Sequence, residues 1–132
     1  MSEIVWIDKH ETITIHAQQL SEHGGGDGVR DEGLLESALA RAQNLLAYSE
    51  DAPSLARLAA AYGFGIARNH PFVDGNKRTA LVVTLTFLLI NGLAVTAPRE
   101  GRYFIFYDLA AGKLSEEELA QWLEVNIEPV SK

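Results

Sequence analysis

Apolar residues recur at helical spacing along this 132-residue chain. No alternating run of strand length and no internal repeat interrupts them. Ile4-Val5-Trp6-Ile7 is a brief apolar stretch, and residues 1–7 are read as a short extended lead-in. Asp8 followed by Glu11 has the form of a capping box and predicts a helix to about Ser21. Its apolar face would carry Ile13, Ala17 and Leu20, with His16 close by as a hydrogen-bonded histidine beside the core. His10 and His23 read as surface residues. Gly24-Gly25-Gly26-Asp27-Gly28 is rich in residues that tolerate positive φ, and is either a bare linker or a flap over a site. Asp31 then caps a helix carrying Leu34, Leu35, Ala38, Leu39, Ala42, Leu45 and Leu46 and ending near Tyr48. Pro53-Ser54 opens a third helix, bearing Leu55, Leu58, Ala59, Tyr62 and Ile66. Its Gly63 and Gly65 cost helix stability; close approach of a neighbouring helix or a kink would account for them. From Lys77 to Ile90 the chain is apolar on nearly all sides, the pattern of a helix surrounded by others, and Asn91-Gly92 stops it. Pro98 starts a fifth helix that packs through Tyr103, Phe104, Phe106, Tyr107 and Leu109 and ends at Gly112. Ser115 and Glu118 form a second capping box, opening a last helix through Trp122 and Leu123 that Pro129 closes. The fold expected is all-α: one compact domain over 1–132, with about six helices around a central apolar helix.

Composition narrows the partners. Cysteine is absent, which excludes a disulfide framework and a thiolate metal site and fits a reducing compartment. The start, Met1-Ser2-Glu3-Ile4, has neither the basic nor the apolar region of a signal peptide. The longest apolar run, Ala80 to Ile90, falls short of the ~20 residues that span a bilayer, and Thr84 and Thr86 interrupt it. These features predict a soluble protein of the cytoplasm with no membrane partner. The net charge of -7, from eleven Lys plus Arg against eighteen Asp plus Glu, argues against direct nucleic-acid binding, which relies on cations neutralising phosphates. In so acidic a chain the densest basic cluster is Lys77 and Arg78, with Arg68 nearby. It is either a solvated patch or part of a built site. Its place in a Gly-Asn turn, not on an open helix face, favours the built site.

That turn belongs to His70-Pro71-Phe72-Val73-Asp74-Gly75-Asn76-Lys77-Arg78, directly before the apolar helix. His70 is the candidate catalytic base, because a neutral imidazole can take a proton from a hydroxyl. The alternative is a histidine that caps the preceding helix. Phe72 is the structural anchor of the loop, its ring the odd one out in the core, with His70 and Asp74 pointing the other way, and Pro71 stiffens the segment. Asp74 is the metal candidate: Mg²⁺ takes only one or two protein carboxylates and completes its shell with phosphate oxygens and water. A helix N-cap is its rival reading. Gly75 and Asn76 let backbone N–H groups face an anion at the helix start, where the dipole adds partial positive charge. Lys77, Arg78 and Arg68 are the cations that would neutralise phosphate oxygens. Together these groups point to phosphate-transfer chemistry.

The stretch resembles the signature of the Fic/Doc family, H-x-F-x-[DE]-G-N-G-R-x-x-R. It is most similar to the Doc, or death-on-curing, branch, whose version runs H-x-F-x-D-[AG]-N-K-R-T-A. The Gly-rich segment, the Asp31-Glu32-Gly33-Leu34 helix start, the Leu88-to-Gly92 ending and the short length are similar as well. Most Fic proteins have Gly where this chain has Lys77 and Arg where it has Leu81, and they transfer AMP from ATP to a hydroxyl. The Doc branch shares the Lys, lacks the final Arg, and is understood to transfer the γ-phosphate of ATP to a threonine of elongation factor Tu, arresting translation. The resemblance therefore implies the toxin of a bacterial or phage-encoded toxin–antitoxin module, a protein kinase with Mg²⁺ as cofactor and ATP as co-substrate. Its partners would be elongation factor Tu, or a similar protein substrate, and a cognate Phd-like antitoxin whose C-terminal segment folds into a groove. The alternatives are AMP transfer, and a catalytically silent module that keeps the loop as an anion site. A DNA-binding regulator is disfavoured by the charge. No [ST]-x-x-x-E-[GN] segment of the kind that self-inhibits many Fic proteins is present, which favours control by a separate partner.

Overall fold

Among the described residues, short polar side chains set where four of the six helices begin. The computed structural model describes residues 3–130, so the first two residues of the expected lead-in and the last two of the expected 1–132 domain lie outside the described residues. Helix α1 (Lys9–His23) starts at a reciprocal capping box, in which Asp8 accepts from the Glu11 N–H at 2.8 Å and Glu11 accepts from the Asp8 N–H at 3.1 Å. Asp31 caps α2 (Glu32–Tyr48) and Ser54 caps α3 (Leu55–Asn69). Ser115 and Glu118 form the second box, at α6 (Glu116–Glu124). Helices α4 (Asn76–Ile90) and α5 (Arg99–Ala110) start from Gly75 and Pro98 without a side-chain cap.

The six helices share one apolar core, and there is a central helix. It is α3, with ten of its fifteen residues buried, rather than the expected Lys77–Ile90 segment, α4, with seven. Size explains the exchange. Helix α3 is rich in alanine and glycine, so α2, α4, α5 and α6 all close on it. A Cβ at Gly65 would lie 3.0 Å from the Ala38 carbonyl oxygen, so the backbone of α2 comes into contact there. One at Gly63 would lie 2.5 Å from Thr84 Oγ1. Both glycines mark close approach, not a kink. Helix α4 keeps Leu81, Val82 and Leu85 half-buried and Leu89 and Ile90 exposed.

Three other expectations are corrected. Helix α1 buries Thr12, His16 and Gln19, while Ile13 and Leu20 are half-buried and Ala17 is exposed. Of these, His16 bonds the loop after α3 through the Asp74 carbonyl, and Thr12 bonds the Asp8 carbonyl at the start of its own helix. On α5 only Phe106 and Leu109 are buried; Tyr103, Phe104 and Tyr107 are 44%, 65% and 51% exposed. Pro129 does not close α6, which ends at Glu124. It sits in strand β2 (Ile127–Pro129), antiparallel to β1 (Leu93–Val95) with Leu93 opposite Pro129 and Val95 opposite Ile127. Strands of three residues are too short to show alternation in a sequence. Among the described residues no helix is long and apolar enough to cross a membrane.

Candidate active site

Helix α3 ends at His70, whose backbone is left-handed (φ 48°, ψ 56°), the one non-glycine residue with positive φ among the described residues. That conformation costs an L-residue about 1–2 kcal/mol unless the surroundings impose it. Here Arg30 imposes it: Nε donates to the His70 carbonyl at 2.8 Å and Nη2 to the Asn69 carbonyl at 2.9 Å. His70 is the C-cap of α3. Its backbone N–H caps α3 by donating to Ile66, while its side chain is exposed. The segment after the glycine run is tied to the motif along one edge. Arg30 N–H and Asp31 N–H donate to the Pro71 carbonyl, the Val73 N–H donates to Gly28, and Val29 bridges Phe72. The segment is therefore not a free linker.

Phe72 is buried, as its role of anchor requires, and its ring stacks on His16 with centroids 3.8 Å apart. The Asn76 side chain turns inward: Oδ1 accepts from the Phe72 N–H at 2.9 Å and Nδ2 donates to the Phe72 carbonyl at 3.0 Å. Its amide clamps the loop and does not face an incoming anion. Asp74 is not the side-chain cap of α4. Its Oδ1 accepts from the Gly75 N–H at 2.8 Å, its Oδ2 from the Gly26 N–H at 3.3 Å, and its carbonyl from His16 Nε2 at 2.8 Å. Gly75, left-handed at φ 75°, is the N-cap of α4. The N–H groups of Asn76, Lys77 and Arg78 find no acceptor among the described residues, leaving a helix N-terminus free to receive an anion.

These groups line a cleft of about 420 Å³ formed by His70, Val73, Asp74, Gly75, Asn76, Lys77, Arg78 and Ala110. Lys77 lies 5.1 Å and 4.8 Å from the ring centres of Tyr103 and Tyr107, so α5 supplies a cation–π wall. Arg78 reaches both this cleft and a groove between α1, α4 and α5, which Leu81 also lines. Arg68 is not brought in. It stacks over Phe64 and lines a separate cleft with Arg41 and Lys113, because it falls before the turn at His70 and points away from it. The donor set fits Mg²⁺ carried with nucleotide phosphates. No group of three His, Asp or Glu side chains that could hold a metal forms among the described residues, but Asp74 offers one oriented carboxylate beside an anion site, the arrangement Mg²⁺–phosphate sites use. Sequence reasoning missed Arg30, the loop role of His16 and the Tyr103–Tyr107 wall. Each acts across 26 to 58 positions, and the glycine run beside Arg30 was the sole local signal.

A model of the Fic/DOC family matches residues 6–88, more than half of the chain. The chain belongs to the Fic/DOC family. The match runs from the lead-in through nearly all of α4, so the Fic/DOC part contains the motif cleft, while the aromatic wall of α5 lies beyond it. The chain is similar to a protein of Escherichia phage P1 named protein kinase doc, 40% identical over 89 residues, which cover 67% of this chain and 70% of that one. It is also similar to the toxin Doc of Mycolicibacterium smegmatis, 44% identical over 93 residues, covering 70% and 68% of the two chains.

Proposed function

We propose that this chain is the toxin of a toxin–antitoxin module, working in the cytoplasm. It transfers the γ-phosphate of ATP to a hydroxyl, a threonine of elongation factor Tu, and its cognate partner is a Phd-like antitoxin. The observation that carries the reading is the position of Lys77, which lines the same cleft as His70 and rests on Tyr103 and Tyr107 where the AMP-transferring pattern has glycine. The likeness to a phage protein named as a kinase supports the same direction. In this reading His70 takes the proton of the target hydroxyl while its oxygen bonds to the γ-phosphorus. The bond from that phosphorus to the bridging oxygen breaks and ADP leaves. The N–H groups of Asn76, Lys77 and Arg78, with the side chains of Lys77 and Arg78, hold the phosphates. Asp74 would hold Mg²⁺, which would supply neutralisation of phosphate charge.

The test is label transfer with purified elongation factor Tu. Label should enter the factor from γ-³²P-ATP and not from α-³²P-ATP, and His70→Ala should slow transfer by about 10²–10⁴-fold and relieve growth arrest on expression. Label arriving from the α position alone would replace this reading with AMP transfer.

A further inference from the structure

Of the four histidines, only His16 is buried, at 2% exposure, and phosphate transfer gives it no direct part. It lies on α1, yet all its partners belong to the motif loop 56 to 59 positions later. Its ring is parallel to that of Phe72 within 7°, with centroids 3.8 Å apart. Its Nε2 lies 2.8 Å from the Asp74 carbonyl oxygen, which can only accept, so Nε2 carries the hydrogen. The same ring edge underlies the turn: a Cβ placed on Gly75 would lie 3.7 Å from His16 Cδ2 and from Nε2. The Asp74 residue is therefore gripped at both ends, its carbonyl by His16 and its carboxylate by the N–H groups of Gly75 and Gly26.

We infer that His16 is a positioning residue for the reaction, setting the direction of the Asp74 carboxylate and of the first N–H groups of α4 relative to His70. The inference rests on the phosphate-transfer reading above for its kinetic readout. Packing alone does not account for His16, since a buried apolar ring would stack on Phe72 equally well. What the imidazole adds is a hydrogen bond from α1 to the carbonyl of the Asp74–Gly75 peptide, whose N–H is held by the Asp74 carboxylate itself. Losing it lets that peptide rotate, and displacing reacting groups by about 1 Å can cost about 10²-fold in rate. Nucleotide affinity, set by Lys77, Arg78 and the helix N-terminus, changes much less.

Two variants separate the roles. His16→Phe keeps a flat ring against Phe72 and removes the donor; His16→Gln gives up the ring and restores an amide N–H at similar reach. With elongation factor Tu as acceptor, His16→Phe should lower kcat by about 10–100-fold with KM for ATP within about threefold of wild type, and His16→Gln should recover most of kcat. Amide hydrogen exchange over residues 73–78, measured without nucleotide, should be about tenfold faster in His16→Phe and return towards wild type in His16→Gln. Unchanged kcat in His16→Phe overturns the inference. So does a fall in both variants that tracks thermal stability, which is the signature of packing alone. If the wild-type chain moves no γ-phosphate, the reaction reading fails by itself. The exchange measurement then decides His16: unchanged exchange over 73–78 overturns its positioning role, and faster exchange restored by glutamine upholds it.

Discussion

Asn76 commits both ends of its amide to one residue, accepting from the Phe72 N–H and donating to the Phe72 carbonyl. Asn76→Asp keeps the shape and loses the donor, placing a carboxylate oxygen against that carbonyl in a site only 8% exposed. The variant should lose about 1–3 kcal/mol, read as a lower urea midpoint with an unchanged slope. An equally stable variant would mean the clamp is not what holds the loop. Lys77 gives a milder test. A partly exposed cation–π pair contributes about 0.5–1 kcal/mol, so Tyr107→Leu should raise KM for ATP by about two- to fivefold with little change in stability. At this scale the burial of Phe72 was legible from its apolar ring but not from spacing, since strict alternation would put positions 70, 72 and 74 on one face and the left-handed turn at His70 breaks that register. Phe72 is indeed buried while the other two are exposed. The inward turn of Asn76 was not legible, since an asparagine at a helix start reads the same whether its amide faces a ligand or its own loop. Arg68 misled for a related reason: two positions before His70 is near in sequence, but the left-handed turn intervenes.

Glycines inside helices separate intrinsic preference from packing. Gly101 lies in α5, and a Cβ there meets nothing within 4 Å. Gly101→Ala should therefore add about 0.5–1 kcal/mol, the ordinary gain of alanine over glycine in a helix. Gly65 has the same intrinsic preference, but its Cβ would meet the Ala38 carbonyl oxygen at 3.0 Å and the Ala38 Cα at 3.1 Å, backbone that cannot swing aside. Gly65→Ala should cost about 1–3 kcal/mol, as overpacking does, and thermal melting of the two variants should move in opposite directions. Parallel shifts would deny the close approach of α2 to α3. Helix starts were legible because caps are local: Asp8, Asp31, Ser54 and Ser115 each bond an N–H within three positions. Helix faces were less so. Tyr103, Phe104 and Tyr107 read as core because they are aromatic, but the core touches only one side of α5, and that side is taken by Phe106 and Leu109.

The first and last described segments meet where α4 stops, which no local pattern announced. Val5 exchanges hydrogen bonds with the Asn91 side chain, and the Val130 N–H donates to Gly92, so a turn legible only as a helix stop also joins the first and last described segments. The lead-in is further fastened through Tyr62, whose buried hydroxyl accepts from the Ile7 N–H at 3.1 Å and donates to the Ile7 carbonyl at 3.2 Å. Burial raises the pKa of this hydroxyl above its ordinary value of 10.0; the bond to Ile7 opposes the shift, and Glu11 and Asp8 add to it. A pKa higher in the fold than in the unfolded chain means the fold prefers the neutral hydroxyl. Its contribution is whole below the unfolded value and is lost as pH rises through the folded one. Tyr62→Phe cannot titrate, and it leaves the Ile7 N–H and carbonyl without a partner. It should be less stable than wild type by about 1–3 kcal/mol near neutral pH. Because the wild type alone surrenders the tyrosine contribution in alkali, the gap should narrow above about pH 10. Urea unfolding of both proteins at about pH 7 and pH 10.5 measures it; no gap at either pH would show that Tyr62 contributes through its ring against Phe87, which phenylalanine keeps, and a gap of constant size would show that the fold does not favour the neutral hydroxyl.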